Sequence, residues 1–110
     1  MIEVTFTKKD GVHSLKVEGH AWYAEHGKDI ICASASMLAY TLAQFVRDKE
    51  SLGWFATPTE IRLDRGDTLV SCDPWGENEW NVRDAYDLIK RGYALLAQNY
   101  PQFVSLNDLT

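Results

Sequence analysis

The spacing of apolar residues changes twice along this chain of 110 residues, and the changes strongly constrain its fold. Residues 2–7 and 12–18 alternate apolar with polar side chains around Lys9-Asp10-Gly11, a pattern typical of a β-hairpin. Residues 59–64 and 68–73 predict a second hairpin around Gly66. Between and after the hairpins, apolar residues recur every three or four positions over residues 30–49 and 79–99, which predicts two helices.

The predicted order of elements is therefore ββαββα, with residues 103–106 as a further candidate edge strand. An antiparallel sheet built from the two hairpins, with both helices on one face, buries both sets of apolar residues most simply. Such an arrangement is an α+β fold. Gly92 lies inside the second predicted helix at a cost of about 1 kcal/mol relative to alanine, which predicts close packing there. The length suits one domain, over residues 1–110.

Charge and composition exclude several classes of function. The formal net charge is −5, whereas nonspecific nucleic-acid binding needs a basic surface. We therefore expect no direct nucleic-acid partner. No stretch approaches the roughly 18 apolar residues of a membrane span, and the N-terminal alternation does not resemble a secretory signal. We accordingly expect a cytoplasmic protein without a membrane partner, whose Cys32 and Cys72 are free thiols.

Cys32 and His20 are the residue pair with the clearest chemical potential. Cys32 falls in the first turn of the first predicted helix, where the helix dipole favours a thiolate. Its N–H and that of Ala33 could there hold an oxyanion. His20 lies twelve residues earlier, where the second strand ends, and an imidazole beside a thiol forms a nucleophile–base pair. Yet a cysteine in an apolar helix is often a small core residue, and a loop histidine is often solvated.

Other polar residues nearby have two interpretations each. Asp29 either caps the helix, which we favour, or orients His20. Ser36 lies one turn after Cys32 and either bonds near its sulfur or allows close helix packing. His26 is an alternative base that suits an exposed loop better. A metal site made of His20, His26 and Cys32 matches no standard zinc spacing, so we predict neither metal nor cofactor.

Two further residues have structural interpretations. His13 alternates with apolar neighbours and is predicted at a strand edge. Cys72 ends an apolar run and is predicted to be a structural cysteine.

The segment that contains both candidate residues closely resembles the signature of the Prp family of ribosomal-processing cysteine proteases. That signature is Gly-His-Ala, a flexible loop, and then Gly-x-Asp-Ile-Val-Cys-Ala-Ala-x-Ser. The chain has Gly19-His20-Ala21 followed by Gly27-Lys28-Asp29-Ile30-Ile31-Cys32-Ala33-Ser34-Ala35-Ser36. It departs from the pattern at Trp22 (often Gly), Ile31 (Val) and Ser34 (Ala). Trp22 would stiffen the loop or fill part of a substrate pocket.

The resemblance implies a cytosolic, homodimeric cysteine endopeptidase with Cys32 as nucleophile and His20 as base. Family members remove a short N-terminal extension from a large-subunit ribosomal protein, after an aromatic pair. Prophage relatives are thought to act on phage head proteins, which is the alternative substrate. A noncatalytic binding module with the same fold is the alternative from another class. Trp22 and Tyr23, with Trp75, are the candidate side chains for an apolar peptide segment, which a sheet edge could hold by strand addition.

Overall fold

The computed structural model describes the backbone of residues 1–20 and 25–110, and the side chains of residues 1–20 and 30–110. Two hairpins, two long helices and a final strand follow one another along the chain. They are β1 Ile2–Lys9, β2 Val12–Gly19, α1 Glu25–Glu50, β3 Glu60–Asp64, β4 Asp67–Cys72, α2 Glu79–Asn99 and β5 Val104–Leu109. The strands form one sheet in the order β3-β4-β2-β1-β5. This confirms the predicted α+β class, with α2 bounded as expected.

The sheet is mixed rather than purely antiparallel. The β1–β2, β2–β4 and β3–β4 pairs are antiparallel, but β5 pairs with β1 in parallel, Ile2 opposite Val104. The candidate edge strand at residues 103–106 is therefore real and longer than predicted. Its direction follows from α2, which returns the chain to the end of the sheet where β1 begins. There the N–H of Ile2 donates to the carbonyl of Phe103 at 2.7 Å.

The first helix begins at Glu25, five residues before the predicted start. Two sequence expectations are therefore wrong. Cys32 is the eighth residue of α1 and not in its first turn, and Asp29 lies inside the helix and not at its cap. In an α-helix each N–H bonds to the carbonyl four residues earlier. The N–H groups of Cys32 and Ala33 are consequently used within α1 and cannot form the predicted oxyanion site.

The core lies between one face of the sheet and the two helices. Phe6, Leu15 and Val70 are opposite one another on adjacent strands and are buried. From α2, Tyr93 packs its ring edge-on against Phe6, with the ring centroids 6.0 Å apart. Both helices bury residues at the three- and four-residue spacing from which they were predicted. Their buried residues are Ile31, Ala35, Ala39, Leu42, Ala43 and Val46 in α1, and Val82, Tyr86, Ile89, Tyr93 and Leu96 in α2.

The two helices touch at Gly92, as its position in the sequence predicted. A Cβ atom added to Gly92 would lie 2.6 Å from a methyl carbon of Leu38, closer than apolar atoms normally approach. Next to it, the hydroxyl of Tyr93 donates to the carbonyl of Ala35 at 2.7 Å. Burial raises the pKa of this phenol. The contact and the hydrogen bond together fix α2 against α1.

One segment of α1, Ile30–Glu50, is long and apolar enough to cross a membrane by length and composition. Such a stretch was not expected from the sequence. Within this segment, 33% of an apolar stretch of 18 residues is buried inside the protein. Its buried side chains, Ile31, Leu42 and Val46 among them, belong to the core on the sheet. Packing against the sheet therefore accounts for part of the apolar composition of the segment, whereas Ile30 and Met37 remain exposed.

His13 does not lie at a strand edge, as the sequence suggested, but in the central strand β2 with only 3% of its surface exposed. Its Nε2 is 3.0 Å from both carboxylate oxygens of Glu79, the first residue of α2. Lys8 and Arg83 also contact this carboxylate, with N···O distances of 2.6 and 3.3 Å. The four residues join the start of α2 to the sheet.

Glu79 should stabilise the protein in a pH-dependent way. Burial favours the neutral carboxyl, but the hydrogen bonds and charges of Lys8 and His13 outweigh it and lower the pKa from 4.5 to about 2. The stabilisation is therefore complete above the unfolded-state pKa and is lost as the pH falls toward 2. We expect Glu79→Gln to lower the free energy of unfolding at pH 7 by on the order of 2 kcal/mol.

Chemical denaturation from pH 2 to 7 tests this expectation. The difference between wild type and Glu79→Gln should shrink below pH 4.5, the ordinary pKa of the carboxyl. Glu77→Gln, at an exposed position in the turn before α2, is the matched control and should change little. A difference that stays constant down to pH 2 would contradict the pairing.

Candidate active site

A cavity of about 440 Å³ lies between α1 and the end of the sheet where β1 begins and β2 ends. One wall is α1, and the other is formed by strand ends and by the turn between β3 and β4. The lining residues are Ile2, Val17, Gly19, His20, Cys32, Ala33, Ala35, Ser36, Ala39, Tyr40, Leu63, Asp64, Arg65, Gly66 and Thr68. His20 and Cys32, which the sequence singled out, therefore share one cavity.

His20 follows directly after β2, and two glycines fix its place. The N–H of Gly19 donates to the carbonyl of Gly66 at 3.1 Å, which joins the end of β2 to the β3–β4 turn. Gly19 also passes so close to the carbonyl oxygen of Met1 that no Cβ atom fits there. The half-buried imidazole lies against Gly66. The histidine is thus held at the cavity by backbone contacts on both sides of the sheet end.

Cys32 reaches the cavity from α1, where it is half-buried. Ser36 and Ala39 follow it at spacings of four and three residues and line the same cavity. Residues at these spacings share a face of a helix. Because the side chains on this face are small, α1 leaves open space above the sheet end. The small residues Cys32, Ser36 and Ala39 of α1 therefore border the cavity.

The remaining predicted site residues do not all fall within the described structure. Trp22 and Tyr23 lie outside the described residues, as do the side chains of His26 and Asp29. Trp75 is half exposed, at 51%, and follows the far end of β4, away from the residues that line the cavity. Its predicted contact with substrate therefore has no support from its position.

The second hairpin contributes a wall of this site that was not predicted from the sequence. The wall opposite α1 is formed by residues of β3, of β4 and of the turn between them, namely Leu63, Asp64, Arg65, Gly66 and Thr68. Nothing in a single sequence shows that this turn folds against His20. The available signal was Gly66, which had been interpreted only as a turn residue.

Comparisons with known proteins agree on one family. The model of the cysteine protease Prp family matches residues 1–105. This chain belongs to the Prp family of cysteine proteases. It is 33% identical, over 86% of both chains, to the ribosomal processing cysteine protease Prp of Mycoplasma genitalium.

Two solved structures show the same fold. A Streptococcus mutans protein is 28% identical, with a TM-score of 0.70 over 100% of this chain and 95% of the other. Prp of Staphylococcus aureus, in complex with a covalently linked product peptide, is 22% identical, with a TM-score of 0.69 over 98% of this chain and 99% of the other. Family membership makes the chain a cysteine protease and removes the support for a noncatalytic module.

A Prp protease needs a thiol that reacts as a thiolate, and Cys72 does not meet this requirement. Cys72 is 2% exposed and lies 3.6 Å from the hydroxyl of Tyr86. Burial raises its pKa to about 11, so it stays protonated at neutral pH. The predicted structural role of Cys72 fits this position. Cys32, in contrast, lines an open cavity together with a histidine.

The described part of the chain contains no set of side chains that could bind a metal ion. Among the side chains of residues 1–20 and 30–110, no group of three or more His, Cys, Asp or Glu residues is placed to hold an ion. The hypothetical set from the sequence included His26, whose side chain is not described.

Proposed function

We propose that this Prp-family enzyme is an endopeptidase in which Cys32 is the nucleophile and His20 the general base. The observation that carries the proposal is that the half-buried thiol of α1 and the histidine after β2 line one cavity of about 440 Å³. The other thiol, Cys72, is buried and protonated. A Prp protease needs a reactive thiol. Among the described residues that line the cavity, Cys32 supplies the thiol and His20 the imidazole.

The chemical steps follow from these two groups. The imidazole of His20 takes the Sγ proton, and the thiolate of Cys32 attacks the carbonyl carbon of the scissile bond. His20 then donates that proton to the leaving amine as the C–N bond breaks, which leaves a thioester on Cys32. A water molecule, deprotonated by His20, then attacks the carbonyl carbon of the thioester. The C–S bond breaks, the new carboxyl terminus leaves, and His20 returns the proton to the sulfur of Cys32.

Two other residues have proposed supporting roles. The hydroxyl of Ser36 lines the cavity one helical turn from Cys32, and we assign it a hydrogen bond to the sulfur or to the oxyanion. We favour the hydroxyl of Ser36 as a donor to the oxyanion, because the N–H groups of Cys32 and Ala33 are used within α1. Asp29 no longer qualifies as a helix cap, so its remaining proposed role is to orient His20.

The proposed substrate is an extended peptide at the N-terminus of a large-subunit ribosomal protein, cut after two aromatic residues. The Mycoplasma genitalium relative is named a ribosomal processing protease, and the Staphylococcus aureus structure holds a product peptide. Strand β3 is an edge of the sheet, and its last residues line the cavity. An extended peptide paired with this edge would therefore lead into the site, with Trp22 and Tyr23 proposed as contacts for its aromatic side chains.

A peptide panel tests the proposed specificity. Synthetic peptides with two consecutive aromatic residues before the cut and a small residue after it should be cleaved at that bond, as read by mass spectrometry. Matched peptides in which alanine replaces both aromatics should be cleaved far more slowly. Preferred cleavage of phage head-protein sequences would favour the prophage alternative. If every peptide stays intact, the proposed specificity is wrong.

We also propose that the enzyme is a cytoplasmic homodimer that binds no nucleic acid. Large apolar side chains remain exposed on the outer side of the helices, including Met37 and Leu95, 63% and 60% exposed. Both line a shallow groove between α1 and α2. An isologous contact between two such surfaces would cover them.

Sedimentation equilibrium at micromolar concentration should therefore show twice the 12.5 kDa chain mass. Leu95→Glu should shift the protein toward the monomer, because the contact would bury a charge. Leu52→Glu, at an equally exposed position after α1, is the control and should remain dimeric. A single 12.5 kDa species for wild type would rule out the dimer.

A further inference from the structure

We propose that the β3–β4 turn positions His20, and that Gly66 is the positioning residue; this inference rests on the proposed role of His20 as the base. Gly66 lies in the two-residue turn between Asp64 and Asp67, far in sequence from both His20 and Cys32. Nothing about a turn glycine in the sequence suggests a role in the reaction. The structure places it directly against the imidazole.

The contact leaves no room for a side chain. A Cβ atom on Gly66 would lie 2.8 Å from both Cε1 and Nε2 of His20, whereas carbon atoms in contact normally stay about 3.5–4.0 Å apart. The ring therefore rests on the bare Cα of the turn. The hydrogen bond from Gly19 to the carbonyl of Gly66 fixes the chain at the residue before the histidine. Gly66 thus contacts the ring of His20 and also holds the backbone next to it.

Turn geometry alone does not explain this glycine. Its φ of +76° favours glycine but is also adopted by asparagine and aspartate in many turns. The contact with His20 excludes those residues as well. Gly53, in the connection after α1, has the same φ of +76° and nothing within 4 Å of an added Cβ atom. The chain thus contains two glycines with equal backbone demands, of which only one touches the base.

This pair of glycines separates the positioning role from backbone strain. Alanine at Gly66 should push the imidazole away from its place, and a displacement of about 1 Å in an active site can cost about 10²-fold in rate. We therefore expect Gly66→Ala to lower kcat for a cleaved peptide by about 10²-fold with little change in KM. Gly53→Ala carries the same strain and should keep the wild-type kcat.

The double variant shows whether Gly66 acts through His20. In a His20→Ala background the ring is gone, so adding Gly66→Ala should cause no further loss of kcat. Equal kcat values for Gly66→Ala and Gly53→Ala would overturn the positioning role while leaving His20 as the base. Wild-type kcat in His20→Ala would instead overturn the proposed function of His20, and the positioning role with it.

Thermal unfolding provides a second readout in case Gly66→Ala folds poorly. The clash should lower the Tm of Gly66→Ala more than that of Gly53→Ala. Removing the ring relieves the clash, so His20→Ala/Gly66→Ala should melt at a higher temperature than Gly66→Ala, or fold where the single variant does not. A double variant that is no more stable than Gly66→Ala would contradict the contact.

Discussion

Replacing Cys32 with alanine is expected to abolish peptide cleavage, with a loss in kcat of at least about 10⁴-fold, as for other enzymes that lose their nucleophile. No thioester can form without the sulfur, and the other thiol, Cys72, is buried and protonated. The fold should remain, because Cys32 is only half-buried at the edge of a cavity, and alanine keeps its Cβ atom. Steady-state cleavage of the aromatic-pair peptide, together with circular dichroism, measures both parts of the expectation.

Cys72→Ala is the control for the loss of a thiol. Cys72 is buried under α2 beside Tyr86, so its removal should reduce stability, by roughly 1–2 kcal/mol as for other small core deletions. Cleavage by the folded protein should continue near the wild-type rate. The assignment of the nucleophile fails if Cys32→Ala still cleaves, or if Cys72→Ala loses cleavage while folded.

The second large effect is expected for His20→Ala, which should lower kcat by about 10²–10⁴-fold, the usual contribution of general base catalysis. Without the imidazole, the base that is proposed to take the proton of Cys32 and return it to the leaving amine is missing. The alkylation of Cys32 by iodoacetamide at pH 7 should slow as well, because the imidazolium no longer stabilises the thiolate.

Added imidazole distinguishes a lost base from a disturbed fold. Removal of the ring from beside Gly66 enlarges a cavity that is already open to solvent. Free imidazole can enter this space and should restore part of the cleavage by His20→Ala, but none by Cys32→Ala. Full activity of His20→Ala without imidazole would exclude the histidine as the base.

The local patterns predicted most of the fold, because strands and helices each have a characteristic spacing of apolar residues in the sequence. The second helix was predicted at its observed bounds, Glu79–Asn99. The parallel pairing of β5 with β1 was not, since it depends on where α2 returns the chain. The predicted position of His13 at a strand edge was wrong for a related reason. An imidazole between apolar residues looks like an edge position until its distant partner Glu79 is known.

The site was predictable only in part. A thiol and an imidazole in a family-like segment indicated the chemistry, and the structure brings both to one cavity. The assumed contribution of the helix dipole to thiol activation was wrong, because it placed Cys32 at a helix N-terminus, and α1 begins seven residues earlier. The Gly66 contact and the wall formed by β3 and β4 arise from pairing between distant segments. No local sequence pattern indicates such a contact.

The alkylation rates of the two thiols test the central claim most directly. Folded protein is treated with limiting iodoacetamide at pH 7, and the modified cysteine is identified by peptide mass mapping. Cys72 in the denatured chain gives the rate of an ordinary thiol. If Cys32 is the activated nucleophile, it should react at least about tenfold faster than this reference, while Cys72 in the folded protein stays unmodified. A Cys32 that reacts no faster than denatured Cys72 would contradict the Cys32–His20 site.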